Sequence, residues 1–210
     1  MKTFIKNIIH LFSYIVSYIF NFKILVAINY LIDNVYSYSV KRSLLYAGKS
    51  FRVGFSAVII GNKHINIGNG FFSHKRLRME AITKYGNQSF NPQINIGDNV
   101  IINYDCHIGC INKIEIGNNV LIASRVFITD HFHGKIDYSE LITPPTKRHL
   151  HSKGGIIIKD NVWIGEGAVI LPNVTLGKNV IVGANSVVTK SFEENSVIGG
   201  IPAKLIRKLS

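Results

Sequence analysis

The stretch from residue 156 to residue 192, IIIKDNVWIGEGAVILPNVTLGKNVIVGANSVVTKSF, repeats a pattern every six residues. Aliphatic side chains recur at Ile158, Ile164, Ile170, Leu176, Val182 and Val188. Four residues after the first five of these come Val162, Ala168, Val174, Val180 and Ser186. A period of six matches neither the roughly 3.6-residue turn of an α-helix nor the alternation of a simple strand. It predicts a short strand and a tight turn, repeated so that one aliphatic side chain per unit faces a shared interior.

The same frame continues towards the N-terminus, with aliphatic residues at Ile96, Ile102, Ile108, Ile116, Ile122 and Ile128. The step from Ile108 to Ile116 is two residues longer than the period, and a weaker trace at Ile60–Gly61 and Ile67–Gly68 marks the start. Turn residues occupy fixed places in the repeat, at Asn99, Asn119, Asn161 and Asn179. Asn tolerates the unusual backbone angles of tight turns. Three units close one triangular coil, so stacked coils predict three parallel sheets.

These stretches resemble the hexapeptide-repeat acyltransferases, in particular the branch of galactoside, maltose, nodulation and bacterial polysaccharide O-acetyltransferases. The resemblance covers residues 58–210 and includes IEIGNNVLIASRVFITDHFHG at residues 114–134 and GGIPAKLIRKL at residues 199–209. It implies a mainly β fold, a left-handed parallel β-helix whose C-terminal tail, residues 195–210, forms a short helix. It also implies a homotrimer with active sites between subunits and acetyl-CoA as the acyl donor.

Residues 1–57 match no specific family, and we expect them to form an amphipathic helical region. Apolar residues recur at helical spacing at Ile5, Ile8, Ile9, Phe12, Ile15, Val16 and Ile19. The phase slips at Phe22–Lys23, which predicts two helices, at residues 3–22 and 24–38. Polar residues recur too often for a membrane span, and no small-residue cleavage site indicates a secretory signal. Two interpretations remain: a helix on the membrane interface, or a helical cap packed on the β-helix.

The charge of the chain is concentrated in its first part. The 210 residues are 47% hydrophobic and 17% charged, which is typical of a folded protein, and 24 Lys and Arg face 12 Asp and Glu. Residues 1–90 contain 12 basic and 2 acidic side chains, whereas residues 91–210 contain 12 and 10. This distribution places contact of residues 3–38 with a membrane surface on an equal footing with the helical cap, and no recognition module for nucleic acid is present. Two Cys suit a reducing compartment, so we expect a cytoplasmic enzyme, either free or peripheral on the inner face of the cytoplasmic membrane.

The six-residue frame breaks between Ile128 and Ile158, where a loop over residues 134–155 is inserted. Long loops inside a compact repeat are usually functional, and a His at the base of the loop suits a general base. The resemblance implies that this His deprotonates the acceptor, which then attacks the acyl-CoA thioester directly. The Asp-His pattern of the family selects His131, whereas gap-free counting from Ile116 selects His133. We favour His131 and keep His133 as the alternative.

The resemblance implies further contacts for the acceptor and for acetyl-CoA. Asn103 matches a position that orients the acceptor, although Asn is also a common turn residue. The implied donor contacts are Trp163, Gly165, Ala184, Thr189, Lys190 and Arg207. Lys190 and Arg207 match basic positions near the nucleotide phosphates, where charge-assisted contacts are strong. Trp163 equally suits a subunit contact.

No metal is expected. One lyase class on this fold holds zinc with three histidines, but the spacing of His107, His131 and His133 does not resemble that class. Cys106 and Cys110 occupy small positions in and beside the repeat frame, and a Cys-x₃-Cys spacing alone is weak support for zinc.

The predicted function is an acetyl-CoA-dependent O-acetyltransferase that acts on a sugar hydroxyl in bacterial surface polysaccharide biosynthesis, such as O-antigen or capsule. The expected partners are a saccharide or lipid-linked glycan acceptor and other copies of the chain. The second prediction is an N-acetyltransferase of an amino sugar nucleotide or of a xenobiotic amine. The third, from another class, is a trimeric β-helix that serves as a scaffold or binding protein without turnover.

Overall fold

The computed structural model describes residues 2–135 and 137–209. Two α-helices, α1 (Lys2–Ile19) and α2 (Phe22–Ser43), precede a series of short strands. The strands are β1 (Tyr46–Ala47), β2 (Arg52–Val53), β3 (Val58–Ile60), β4 (Ile65–Ile67), β5 (Phe72–Ser73), β6 (Arg78–Ala81), β7 (Lys84–Tyr85), β8 (Gln88–Ser89), β9 (Gln93–Ile96), β10 (Ile101–Ile102), β11 (His107–Cys110), β12 (Lys113–Ile116), β13 (Leu121–Ile122), β14 (Phe127–Thr129), β15 (Phe132–His133), β16 (Leu150–His151), β17 (Ile156–Ile158), β18 (Trp163–Ile164), β19 (Val169–Ile170), β20 (Thr175–Leu176), β21 (Ile181–Val182), β22 (Val187–Val188), β23 (Ser196–Gly200) and β24 (Ala203–Lys208).

Most strands belong to three sheets that the chain visits in turn. Sheet A has the order β1-β4-β9-β12-β17-β20, sheet B the order β2-β5-β10-β13-β18-β21-β23-β24, and sheet C the order β22-β19-β14-β11-β6-β3. Pairing within each sheet is parallel, except between β23 and β24. Each passage through A, B and C forms one coil, and successive coils stack in register, as Ile116 on Ile158 shows. The three parallel sheets follow the prediction from the repeat.

The interior of the coils consists of the repeated aliphatic residues. All six aliphatic residues of the 158–188 repeat are buried, and so are the five small or apolar residues between them. The predicted turn residues Asn99, Asn119, Asn161 and Asn179 adopt left-handed backbone angles, with φ between 56° and 60°. Their side chains also hydrogen-bond from coil to coil, for example from Nδ2 of Asn161 to Oδ1 of Asn179 at 3.1 Å. The inward positions and the turns of the repeat are therefore confirmed.

The first coil begins ahead of residue 58. Strands β1 and β2 already pair with the next coil, with Ala47 opposite Ile67 and Val53 opposite Ser73. Ala47, Val53 and Ile59 have the six-residue spacing, but the first two are less bulky than the isoleucines of later coils. The weaker trace therefore begins after the start of the β-helix: Ile60 lies exposed on β3, the last strand of the first coil, and Ile67 lies buried on β4 in the second coil.

The C-terminal tail forms a strand, so the prediction of a short C-terminal helix is wrong. Strand β23 joins sheet B beside β21, and β24 folds back to pair with it in antiparallel fashion. A last coil without a neighbour would leave a row of unpaired backbone groups, which a returning strand satisfies and a helix does not. Ala203 at the start of β24 is buried, while the residues after it are exposed.

The two N-terminal helices differ in how they contact the β-helix. The C-terminal half of α2 packs on the first coils: the Ser37 hydroxyl donates to the carbonyl oxygen of Val53 at 3.0 Å, and the Asp33 carboxylate accepts from the amide of Phe55 at 2.8 Å. This half is the cap that one interpretation expected, and it continues to Ser43, beyond the predicted end. Helix α1, in contrast, has no buried residue.

Neither helix alone is long and apolar enough to cross a bilayer, within the described residues. The pair Lys2–Ile19 and Phe22–Ser43, bent by 72° at the break between them, passes that test of length and composition together.

Candidate active site

The insertions in the repeat meet at one corner of the β-helix. The chain leaves sheet C for sheet A at this C–A corner, where two hairpins, β7–β8 and β15–β16, extend from successive parts of the chain. The Gln88 side-chain amide joins them, because it donates to the carbonyl oxygen of Leu150 at 3.1 Å and accepts from the Leu150 amide at 2.7 Å. The predicted loop thus rests on a second insertion that the sequence did not point out.

A cavity of about 500 Å³ lies between these hairpins and the outer face of sheet C. Its walls are Arg78, Glu80, Ile82, Tyr85, His107, Phe127, Thr129, His131, Phe132, His133, Leu150 and Leu171. Aromatic rings and titratable groups thus line one space, as is typical of small-molecule sites. Both histidines that the sequence offered as general base lie in this wall.

His131 is held in place by the carboxylate that precedes it. Its Nδ1 lies 3.1 Å from Oδ1 of Asp130, and its side chain is only 11% exposed. Asp130 is fully buried and accepts hydrogen bonds from the backbone amides of Ile111, Asn112 and Lys113 at 2.8–2.9 Å. These three donors fix the carboxylate, and the carboxylate in turn fixes the ring of His131.

This geometry favours one tautomer of the neutral imidazole. A carboxylate accepts from Nδ1–H, so the lone pair of the neutral His131 ring is on Nε2. Nε2 has no hydrogen-bond partner among residues 2–135 and 137–209. An oriented imidazole with a free lone pair is suited to remove a proton from a hydroxyl or an amine.

His133 is more exposed than His131 and is held by a weaker contact. Its Nδ1 lies 3.3 Å from the hydroxyl of Tyr85, whose ring meets the His133 ring edge-on. The Tyr85 hydroxyl also donates to the carbonyl oxygen of Thr146, at 3.2 Å. No carboxylate of the described chain contacts His133, so its arrangement differs from that of a His–Asp pair.

A second charged group faces the same cavity, and the sequence reasoning did not find it. Glu80 Oε2 lies 2.8 Å from Nε of Arg78 and 3.0 Å from Nε2 of His107. Burial holds the pKa of His107 below its usual value, although Glu80 acts in the opposite direction. Glu80 is one of two acidic residues among the first 90. A single acidic residue within such a basic segment is the sequence feature that could have pointed to this part of the site.

Gly109 separates the two histidines. A Cβ atom at this position would lie 3.3 Å from Cε1 of His131 and 3.6 Å from Nε2 of His107. The absence of a side chain at Gly109 therefore lets both rings approach the same patch of the sheet C backbone.

The remaining predicted residues fall into two groups on opposite edges of sheet C. Asn103, Gly165 and Ala184 lie at the corner where the chain passes from sheet B to sheet C. Thr189 and Lys190 follow β22 and lie at the C–A corner, on the side of His131. Within one chain the structure therefore does not bring Asn103 or Gly165 together with His131.

Two of these residues have a structural role that does not depend on a ligand. A Cβ atom at Gly165 would lie 2.6 Å from the backbone nitrogen of Ala184, so the stacking of the coils requires glycine there. Asn103 donates from Nδ2 to the carbonyl oxygen of Ile122 at 3.2 Å, as a turn residue does. Arg207 lies on exposed strand β24, opposite Val197.

Trp163 points outward from sheet B in an apolar column. Half of its surface is exposed, and its register partners are Leu121 and Ile181. Leu121 is in turn paired with Ile101, and both are exposed. An exposed apolar column of this kind is suited to contact another protein surface.

In the described part of the chain, no three His, Cys, Asp or Glu side chains converge as metal ligands. Cys106 and Cys110 are both buried free thiols, and burial raises the pKa of each.

A parallel β-helix with a His–Asp pair beneath an inserted loop is the arrangement of a hexapeptide-repeat transferase. The family model described as bacterial transferase hexapeptide (six repeats) matches residues 155–190. WbbJ of Escherichia coli K12, which is named for O-acetyl transfer in lipopolysaccharide biosynthesis, is 41% identical over 160 residues, or 74% of this chain and 78% of the relative. The chain therefore belongs to the hexapeptide-repeat acetyltransferase family, and the predicted left-handed β-helix is confirmed.

Other relatives match the same region. Galactoside O-acetyltransferase of E. coli K12 is 35% identical over 127 residues, which cover 58% of this chain and 57% of the relative. Among solved structures, the maltose O-acetyltransferase of Clostridium difficile 630 has a TM-score of 0.52 and 28% identity, with 81% of this chain and 73% of that chain covered. The N-acyltransferase AntD of Bacillus cereus has a TM-score of 0.66, 23% identity and coverage of 81% and 87%, and it shares the fold.

Proposed function

We propose that this acetyltransferase moves an acetyl group from acetyl-CoA to a sugar hydroxyl during the assembly of a bacterial surface polysaccharide. The single observation that carries the reaction is the His131–Asp130 pair in the wall of the cavity, because the carboxylate orients the imidazole beside a space of substrate size. The similarity to WbbJ over most of both chains supports the polysaccharide acceptor. Acetyl-CoA is made inside the cell, so the reaction takes place on the cytoplasmic side.

The proposed transfer is direct. Nε2 of His131 accepts the proton of the acceptor hydroxyl while the hydroxyl oxygen bonds to the carbonyl carbon of acetyl-CoA. The carbon–sulfur bond then breaks, and the departing thiolate takes the proton from the imidazolium of His131. Asp130 stabilises the transient imidazolium by its charge and keeps the ring in one orientation. No covalent enzyme intermediate is needed.

The donor site requires a second copy of the chain. Gly165, Ala184 and Asn103 lie on the opposite edge of sheet C from His131, so a site that contains both groups forms between two subunits. In this arrangement Trp163 lies at the subunit contact beside the thioester, and Lys190 and Arg207 lie near the nucleotide phosphates. Three copies close such a contact with cyclic symmetry. We therefore propose a homotrimer, and the exposed apolar column on sheet B supports it.

Acetyl transfer with two matched variants tests the assignment of the base. The full chain is incubated with radiolabelled acetyl-CoA and with free monosaccharides or polyprenyl-diphosphate-linked oligosaccharides. We expect His131→Ala to lower kcat by about 10²- to 10⁴-fold and His133→Ala to act mainly on KM, because only His131 has the carboxylate partner. Wild-type activity in His131→Ala would contradict the mechanism, and the reverse pattern would assign the base to His133.

The base stability of the product tests whether the acceptor atom is oxygen, and the mass of the enzyme in solution tests the proposed trimer. An ester is released from the labelled product by mild base, whereas an amide is not, so a base-resistant product would indicate N-acetylation instead. Sedimentation equilibrium should give three times the 23.5 kDa of one chain. A monomer would contradict the shared site.

A further inference from the structure

Helix α1 is amphipathic and lies largely exposed in the described part of the chain. None of its residues is buried. At about 100° per residue, one half of its surface contains Phe4, Ile5, Ile8, Ile9, Leu11, Phe12, Ile15, Val16, Tyr18 and Ile19. The opposite half contains Lys2, Thr3, Lys6, Asn7, His10, Ser13, Tyr14 and Ser17. A clean division of this kind is typical of a helix that lies on a surface.

The apolar half of α1 is extensively exposed to water. Ile8, Phe12 and Ile15 have exposed fractions of 52%, 67% and 54%. The first half of α2 also exposes apolar side chains, among them Ile24, Leu25 and Leu31. An exposed apolar helix face of this kind marks a site of interaction rather than an ordinary protein surface.

The charges around this patch identify its partner. Lys2, Lys6 and Lys23 lie on or beside it, and no acidic residue occurs before Asp33. The side chain of Asp33 is 12% exposed and lies 3.6 Å from Arg52, so it does not offset the charge at the patch. Another copy of the chain would present the same positive charge and would be repelled. A bilayer with anionic headgroups supplies both an apolar layer and negative charge.

The rest of α2 holds the patch in a defined position. Its C-terminal half is fixed to the first coils through Ser37 and Asp33, and α1 diverges from its axis by 72°. The apolar helix is therefore joined through α2 to the N-terminal end of the β-helix.

We propose that α1, together with the exposed first half of α2, binds the surface of a bilayer that contains anionic lipid. Helix α1 lies in the plane of the interface, with its apolar half in the acyl region and Lys2 and Lys6 at the level of the headgroups. The β-helix remains in water. This inference does not rest on the proposed reaction, because it uses only the two N-terminal helices.

Vesicle flotation of the full chain tests this interface. The vesicles contain phosphatidylcholine alone or phosphatidylcholine mixed with phosphatidylglycerol. We expect wild-type protein to float with the mixed vesicles and to bind them at least tenfold more tightly than the neutral ones. Sodium carbonate should release it, because a surface-bound helix does not span the bilayer. Resistance to carbonate would overturn the surface orientation.

Two matched double variants separate the faces of the helix. Ile8→Asn with Ile15→Asn alters the apolar half, whereas Ser13→Asn with Ser17→Asn places the same side chains on the polar half. The first pair should weaken binding at least tenfold, and the second should leave it within about twofold. Lys2→Gln with Lys6→Gln should reduce the preference for anionic vesicles. The thermal transition of the β-helix, followed by circular dichroism, confirms that each variant is folded without reference to catalysis.

Three results would overturn the proposal. The first is wild-type protein that does not bind the mixed vesicles, and the second is equal binding by the two double variants. The third is a loss of oligomeric mass in the Ile8 and Ile15 variant while no form binds vesicles, which would show that a second copy covers this face.

Discussion

Oδ1 of Asp130 lies 3.1 Å from Nδ1 of His131, and the same carboxylate accepts hydrogen bonds from three backbone amides at residues 111–113, where the preceding coil passes into the coil of Asp130. The ring is therefore tied to the backbone turn at residues 111–113 through one buried side chain. Those residues include the two extra positions that lengthen the repeat between Ile108 and Ile116. The two-residue insertion before Ile116 thus positions the side chain of His131, through Asp130, at the base of the loop over residues 134–155.

Asp130→Asn should lower kcat by about 10²-fold or more and leave KM nearly unchanged. The amide of Asn cannot accept from all the backbone donors and also hold the imidazole, so the ring loses its orientation. The unpaired donors should also cost about 1–3 kcal/mol of stability. Steady-state acetyl transfer and thermal unfolding measure the two effects. Asp137→Asn, in the exposed loop, is the control. If Asp130→Asn lowered stability and left kcat unchanged, Asp130 would only stabilise the backbone turn at residues 111–113 and would have no role in catalysis.

Gly109→Ala should impair catalysis more than stability. The new methyl group would contact Cε1 of His131 at 3.3 Å, which is tighter than most side-chain contacts, and would push the ring or narrow the cavity. We expect kcat to fall by about tenfold, because small misplacements of a catalytic group are costly. Gly109→Ser, which adds one more atom, should reduce kcat further. If both variants were as active as wild type, the position of the His131 ring would not depend on the space left by Gly109.

Much of this fold could be predicted from the sequence, because the six-residue period assigns an inward or outward direction to each residue. The period did not reveal the first coil, where Ala47 and Val53 fill the interior positions with less bulk. It also did not reveal β24, whose place depends on the edge left by the last coil. Such edges exist only in the assembled structure.

The candidate site was predicted only where its residues are close in sequence. His131 and Asp130 are adjacent, and the break in the repeat marks them. Glu80 and His107 come from successive coils and meet only because β6 and β11 pair in register. No local pattern links two residues separated in this way, and their pairing requires the alignment of the coils.

The stability of the protein should depend on pH through His107. Burial holds the pKa of His107 below its usual value of 6.5, so in the unfolded chain this residue binds a proton at higher pH than in the folded chain. Its contribution to stability is complete above about pH 6.5 and is lost as the pH falls towards the folded pKa. Thermal unfolding of wild type and of His107→Gln between pH 8 and pH 5 measures this contribution.

The contribution of His107 is measured by comparing Tm of wild type with Tm of His107→Gln at each pH. Each kcal/mol lost lowers Tm by about 2–4 °C in a domain of this size. We expect Tm of wild type to fall more steeply on acidification than that of His107→Gln. If Tm of both proteins fell equally on acidification, the pKa of His107 would be the same in the folded and unfolded states.

The two cysteines should remain unreactive in the folded protein, and this bears on the mechanism. Burial raises the pKa of Cys106 to about 11, and burial together with the Asp130 carboxylate raises the pKa of Cys110 even further. Only the thiolate is nucleophilic, so at pH 8 fewer than about one in a hundred Cys106 side chains are reactive, and burial hinders access as well. Neither thiol can then serve as an acyl carrier, which agrees with direct transfer.

Titration with a disulfide reagent measures this directly. At pH 8 the folded protein should release no thiol over minutes, and both cysteines of the chain should react after unfolding in guanidinium chloride. Prolonged treatment of the folded enzyme with iodoacetamide should leave acetyl transfer intact. Rapid modification of one thiol with parallel loss of activity, together with an inactive but folded Cys110→Ala variant, would contradict direct transfer. Sγ of Cys110 lies 3.3 Å from Oδ2 of Asp130, and a thiol is only a weak donor beside three backbone amides, so we expect that variant to retain activity within about tenfold of wild type.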